Sequence, residues 1–220
     1  MKNEVYSRVI RAGVELAKHK IAETELPWRK YRTPYRIFLA EMLLVRTRVD
    51  MVARLFEQVV ARYPTVYSLA SANEEELGLL LRPLGFFKRI PLLIRAARYI
   101  CERHGGEIPH KVEELLKVPG VGPYTAVAVA TFAYGRDGIP ADVNVLRFIS
   151  RLAGLEMQHP TKGSVEAREL LSLLSERNVG LSAENLLDFA RLICKPRQPK
   201  CRECPVRSQC SYFRNNYSEV

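Results

Sequence analysis

The feature that most confines this chain is a run of four cysteines near its C-terminus, Cys194, Cys201, Cys204 and Cys210, spaced Cys-x6-Cys-x2-Cys-x5-Cys. In a reducing compartment, thiols this dense bind metal rather than pair into disulfides. A tetrahedral zinc site often uses two Cys-x2-Cys knuckles, and only one is present here. Pro196, Pro199 and Pro205 stiffen the loop around a wide first spacing. The spacing therefore favours a [4Fe–4S] cluster over its alternative, zinc. The fifth cysteine, Cys101, reads as a small buried hydrophobe.

Charge narrows the choice of partner. The 220 residues carry 34 Lys and Arg against 24 acids, a formal charge of +10. A chain this basic meets a polyanion. Seven of the cations, Arg191, Lys195, Arg197, Lys200, Arg202, Arg207 and Arg214, surround the cysteines and form a basic face suited to phosphates. The longest apolar stretch, Ile37 to Val45, is interrupted by Glu41 and too short to span a bilayer. The N-terminus lacks the apolar core of a signal peptide. The expected location is the cytoplasm, nucleoid-associated, or the nucleus in a eukaryote, with no membrane partner.

No stretch alternates as a strand does. Helical periodicity runs through Val5–Lys18, Tyr35–Val45, Val49–Arg62, Glu74–Leu81, Pro91–His104, Val112–Lys117, Tyr124–Tyr134, Val143–Leu152, Ser164–Ser175 and Asn185–Ile193. Ser71 or Asn73, and Thr161 or Ser164, stand where caps belong. The fold class is all-α.

Three places strain local rules. Between two helices, Val118-Pro119-Gly120-Val121-Gly122-Pro123-Tyr124 reads as a tight hairpin, with backbone amides at a helix N-terminus that suit one phosphate. It has no Lys-Ser/Thr ending, so it is not a nucleotide-binding loop. A plain helix–turn–helix corner would look the same. Glu41 sits in a helix apolar nearly all round, where a carboxylate is costly unless paired, protonated or lining a cavity. A structural ion pair with Arg46 or Arg48 competes with a role in acid–base chemistry. Asp142, ahead of the apolar-periodic Val143–Leu152, reads as an N-cap. The amides and dipole that satisfy a cap also keep its carboxylate ionised.

Taken in order, the glycine hairpin, an Asp about 20 residues later and the terminal cysteine pattern resemble the helix-hairpin-helix DNA glycosylases of the endonuclease III superfamily. The resemblance extends from Leu26-Pro27-Trp28-Arg29 to Cys210. It implies two helical domains: residues 29–135 as a six-helix barrel with the helix-hairpin-helix at about 112–134, and residues 1–28 with 136–220 as a discontinuous domain carrying the cluster loop. DNA would lie across the groove between them with its target nucleotide flipped out, and the protein would act as a monomer.

Details within the superfamily narrow the activity. Members that also cleave the strand carry a Lys in the helix after the hairpin, and Tyr124 stands in that place here. A strictly hydrolytic, monofunctional enzyme of base excision repair is implied. Leu26-Pro27-Trp28-Arg29 and Leu39-Ala40-Glu41 are similar to the branch holding MutY adenine glycosylases and thymine–DNA mismatch glycosylases. MutY proteins typically carry Gln-Gln-Thr-Gln where this chain has Val45-Arg46-Thr47-Arg48, and only ten residues follow Cys210. Arg46-Thr47, Asp188-Phe189 and Pro196-Arg197 look more like the thymine enzymes. The expected substrate is thymine or uracil mispaired with guanine. The alternatives are adenine opposite guanine or 8-oxoguanine, and a non-catalytic iron–sulfur DNA-binding protein.

The resemblance assigns catalysis to Asp142, with Glu41 at the base or water and Tyr124 lining the pocket. Gly120, Gly122, Arg46, Lys195 and Arg197 would contact DNA. Phe86 and Phe87 would wedge the base stack, although core packing explains them equally well.

Overall fold

Helical periodicity becomes helix throughout the chain. The computed structural model describes residues 2–21, 25–85, 87–156, 165–177 and 179–217. Among these residues there is no strand. The chain divides into two compact units, one formed by Met1–Thr24 with Asp137–Val220 and the other by Glu25–Arg136.

The Glu25–Arg136 unit contains α2 (Pro27–Lys30), α3 (Pro34–Leu44), α4 (Val49–Arg62), α5 (Val66–Ala70), α6 (Glu74–Leu81), α7 (Ile90–His104), α8 (Val112–Leu115) and α9 (Pro123–Tyr134). Helix α3 starts where Thr33 accepts the Arg36 amide and Pro34 supplies a preset φ. Ile37 through Met42 and Leu43 are buried without a break, so α3 has no solvent face there. It packs against α2, α4 and α9. Trp28 of α2 meets Phe56 of α4 edge-on, with ring centroids 5.2 Å apart. Asn73, rather than Ser71, caps α6 by accepting the amides of Glu75 and Glu76. Helix α7 covers α5 and α6.

The other unit joins α1 (Lys2–Ala17) to α10 (Val143–Ala153), α11 (Val165–Glu176), α12 (Ala183–Leu192) and α13 (Ser211–Tyr217). Polar contacts fasten the two ends of the chain together. Asn185 accepts the Ile21 amide and donates to the carbonyls of Leu16 and His19, so α12 caps the end of α1. Arg8 of α1 donates to Ser211 and to the Ala153 carbonyl. Phe148 and Phe189 meet edge-on at 4.9 Å in this unit's core, which places Phe189 in packing.

Helices α2, α5 and α13 are absent from the sequence reading; each is seven residues or shorter and shows too little of a period to register. The suggested caps Thr161 and Ser164 lie outside the described residues.

The hairpin glycines differ in what they need. Gly120 has φ +82°, and a Cβ there would come within 2.8 Å of Leu92 and 3.2 Å of the Met42 methyl. Gly122 has an ordinary φ of −95° and open space around its Cα. Gly120→Ala is therefore expected to cost about 2 kcal/mol of stability and Gly122→Ala less than about 0.5 kcal/mol, measured by denaturant unfolding.

Candidate functional site

In the Glu25–Arg136 unit the candidate residues gather around α3 and α9, which pack together. Glu41 is only 5% exposed, in the middle of α3. Arg48, one of its two suggested partners, instead grips Asp50 through two bonds of 3.0 Å. Tyr124 is half-buried in the first turn of α9. That helix begins at Gly122 with no side-chain cap, and Pro123 occupies its first turn. The close approach of Gly120 to Met42 brings the hairpin against α3, next to Glu41.

Arg46 stands on the turn that ends α3, exposed, with φ +55°. The turn is held from the segment before α7. Arg89 donates to the Val45 carbonyl and, at 3.2 Å, to the Thr47 hydroxyl. Phe87 opens the same short 3-10 turn, Phe87–Arg89. Phe86 lies outside the described residues.

In the other unit, Asp142 is the N-cap of α10. Its Oδ1 accepts the amides of Asn144 at 2.6 Å and Val145 at 3.1 Å. Its Oδ2 accepts the Asn144 side-chain amide at 3.3 Å. The contacts continue down the helix. Arg147 donates to the Asn144 side-chain oxygen at 2.9 Å, to the Ala190 carbonyl at 2.9 Å, and twice to the Cys194 carbonyl at 3.0 and 2.7 Å. Burial is the largest influence on Arg147 and pulls its pKa down. One turn further from Asp142, Arg151 donates to the Lys195 carbonyl at 2.6 Å and the Pro196 carbonyl at 3.1 Å. One helix thus carries the candidate carboxylate at its head and grips the cysteine loop along its side.

All four cysteines line one cavity, together with Phe148, Ile193, Tyr212 and Phe213. Among the described residues, no three His, Cys, Asp or Glu side chains converge as ligands of a single ion would. Each cysteine sulfur faces a hydrogen-bond donor: Arg151 to Cys194 at 3.6 Å, Tyr217 to Cys201, the Val206 amide to Cys204, and the Tyr212 and Phe213 amides to Cys210. Cys210 also donates to the Arg151 carbonyl at 3.5 Å, and the donors aimed at the other three sulfurs suit thiolates, the form that binds iron. Burial pushes the Cys204 thiol up to about 12 and raises Cys201 and Cys210 as well. On the same loop, Lys195 is half-buried and Arg197 exposed.

Asn144, Arg147, Arg151, Tyr217 and Arg89 are not anticipated by the sequence motifs. Arg147 did leave a signal, a lone charge inside the apolar run Val145-Leu146-Arg147-Phe148-Ile149. It breaks the same rule as Glu41.

A thymine-DNA glycosylase of Aeropyrum pernix is 37% identical over 205 residues, covering 88% of this chain and 89% of that one. A thymine/uracil-DNA glycosylase of Pyrobaculum aerophilum is 32% identical over 223 residues, covering 94% and 96%. The solved structure of a thermostable thymine-DNA glycosylase superposes with a TM-score of 0.80 at 26% identity, covering 97% of this chain and 99% of that one. Residues 39–176 match the model of the HhH-GPD superfamily base excision DNA repair protein, and the chain belongs to that family.

Proposed function

We propose that this chain is a monofunctional DNA glycosylase that hydrolyses the N-glycosidic bond of thymine or uracil opposite guanine in duplex DNA. The observation that carries the reading is the anchored carboxylate of Asp142, on a chain that matches a thymine-DNA glycosylase and a thymine/uracil-DNA glycosylase along nearly its whole length. A mispair is cheaper to open than a matched pair, which helps the extrusion such an enzyme needs.

As the C1′–N1 bond breaks, its electron pair leaves with the base and positive charge develops on the sugar. Asp142 supplies the opposing negative charge from a fixed position. Two amides at the head of α10 bind Oδ1 and the Asn144 side chain binds Oδ2, so little reorganisation is needed and Oδ2 keeps a lone pair open. Water adds to C1′ and gives up a proton, with Asp142 as the acceptor. Glu41, enclosed in α3, assists at the base or the water. Tyr124 offers no amine, so no Schiff base forms and the strand is left intact. The uncapped start of α9 and the exposed Arg197 contact phosphates, and Arg46 lies on the DNA face.

The cysteine cavity takes a [4Fe–4S] cluster. The Cys-x6-Cys-x2-Cys-x5-Cys spacing, with its single Cys-x2-Cys knuckle, supports it over a single zinc ion. When bound, it ties residues 194–210 into one covalent unit. Arg147 and Arg151 then hold that unit against the helix that begins at Asp142.

The reading is tested with duplexes carrying G·T, G·U, A·G and A·8-oxoG, treated with alkali to reveal abasic sites. Thymine or uracil release is expected; release of adenine alone would overturn the substrate. Asp142→Asn should lower base release by at least about a thousandfold while DNA affinity stays within a few-fold. Equal loss of both in a folded variant would remove Asp142 from the chemistry. Tyr124→Lys should yield a borohydride-trapped adduct that the parent does not form. Purified protein should contain about four irons and four acid-labile sulfides per chain; zinc without sulfide would overturn the cluster.

A further inference from the structure

The seven residues that follow Cys210, Ser-Tyr-Phe-Arg-Asn-Asn-Tyr, form α13. A helix this short does not hold itself in water. It is fastened at its start, where the Cys210 carbonyl accepts the Arg214 amide at 3.1 Å and the Ser211 hydroxyl accepts Arg8 of α1 at 2.8 Å. Along its length it packs on α10.

Three of its seven residues are aromatic, and none of them is fully buried. Phe213 and Tyr217, one turn apart, stack with centroids 5.5 Å apart and planes 9° from parallel. Tyr212 and Phe213 line the cavity that the four cysteines share. The Arg151 guanidinium lies 4.5 Å from the Tyr212 ring centroid and donates to the Cys194 sulfur at 3.6 Å. The Tyr217 hydroxyl donates to the Cys201 sulfur. Seven residues beyond Cys210, the chain has thus come back to Cys201. Tyr217 is 36% exposed, so its ring stands at the surface with its hydroxyl turned in to a sulfur.

A hydroxyl donor on a thiolate ligand has two consequences for a metal centre. It fixes the sulfur in place, as the outer partners of metal ligands do. It also stabilises the more negative state of an iron–sulfur cluster and so raises the reduction potential. The stacked rings add a third, since apolar surface over such a site limits the access of water.

We propose that α13 is a clasp over the cysteine cavity and that Tyr217 is a positioning residue for the cluster, its hydroxyl raising the reduction potential and its ring slowing cluster loss. The inference rests on the [4Fe–4S] reading given above. It does not depend on which base the enzyme releases.

The test uses the full chain, with iron and acid-labile sulfide counted first. Tyr217→Phe keeps the stack on Phe213 and removes only the hydroxyl. Its one-electron midpoint is followed by electron paramagnetic resonance during electrochemical titration. The reduction equilibrium constant should fall about tenfold, a midpoint lower by about 59 mV. Iron content and the thermal unfolding midpoint should match the wild type, which separates tuning of the cluster from a merely structural role. Tyr217→Ala removes the ring as well, and its visible iron–sulfur absorbance should decay about tenfold faster in air with a chelator present.

A Tyr217→Phe midpoint at or above the wild-type value, with iron and sulfide intact, would overturn the tuning role and leave the cluster reading standing. Cluster loss from Tyr217→Ala at the wild-type rate would overturn the clasp. Zinc without sulfide in the wild type would overturn the cluster reading and this proposal with it.

Discussion

One buried guanidinium organises the Asp142 end of the molecule. Arg147 is 8% exposed and spends its donors on the Cys194 and Ala190 carbonyls and the Asn144 side chain. A charge taken this far from water is tolerable only when its hydrogen bonds are filled, and removing its partners typically costs about 3–5 kcal/mol. The three segments it touches are the ones the chemistry needs in register. They are the head of α10, the end of α12 and the start of the cysteine loop. Asn144 carries the contact on, accepting from Arg147 with its oxygen and donating to Asp142 with its amide. The proposed nucleus of catalysis and the proposed metal centre are thus two ends of one hydrogen-bonded line.

The Glu25–Arg136 unit solves a similar problem by packing. Helix α3 is enclosed on every side, and the hairpin reaches it only because Gly120 lacks a Cβ. Glu41 is positioned by the apolar neighbours around it.

Much of this was legible in the sequence. The ten helical periods all became helices, several of them beginning at a polar cap such as Asn73. Cysteine spacing located the cavity that Cys194, Cys201, Cys204 and Cys210 share. Asp142 was readable as a cap because cap chemistry is local. What escaped is non-local. Arg89 reaches back 44 residues to Val45, and Arg147 reaches forward 47 to Cys194. No window of sequence contains both partners. The conformation of Arg46 was invisible for a different reason, since arginine carries none of the turn signals that glycine or asparagine would have given.

The two non-glycine residues with positive φ among those described, Arg46 and Gln198, share a circumstance. Each follows closely on a carbonyl that an arginine from elsewhere in its own unit holds: Val45 by Arg89, Pro196 by Arg151. Strain at an exposed tip persists only if the surroundings over-determine it, and here a guanidinium fork does so by binding backbone and side-chain oxygens that no helix satisfies. This changes the meaning of the formal charge of +10. Arg89, Arg147 and Arg151 are committed to backbone oxygens, while Arg36 and Arg62 are paired with Glu57 and Glu76. The salt dependence of DNA affinity counts only the phosphates that cations neutralise. In the function proposed above, that count falls to exposed residues at the braced tips, such as Arg46 and Arg197, rather than to net charge. The basic composition that first suggested a nucleic-acid partner is in large part the scaffold on which a smaller contact surface is mounted.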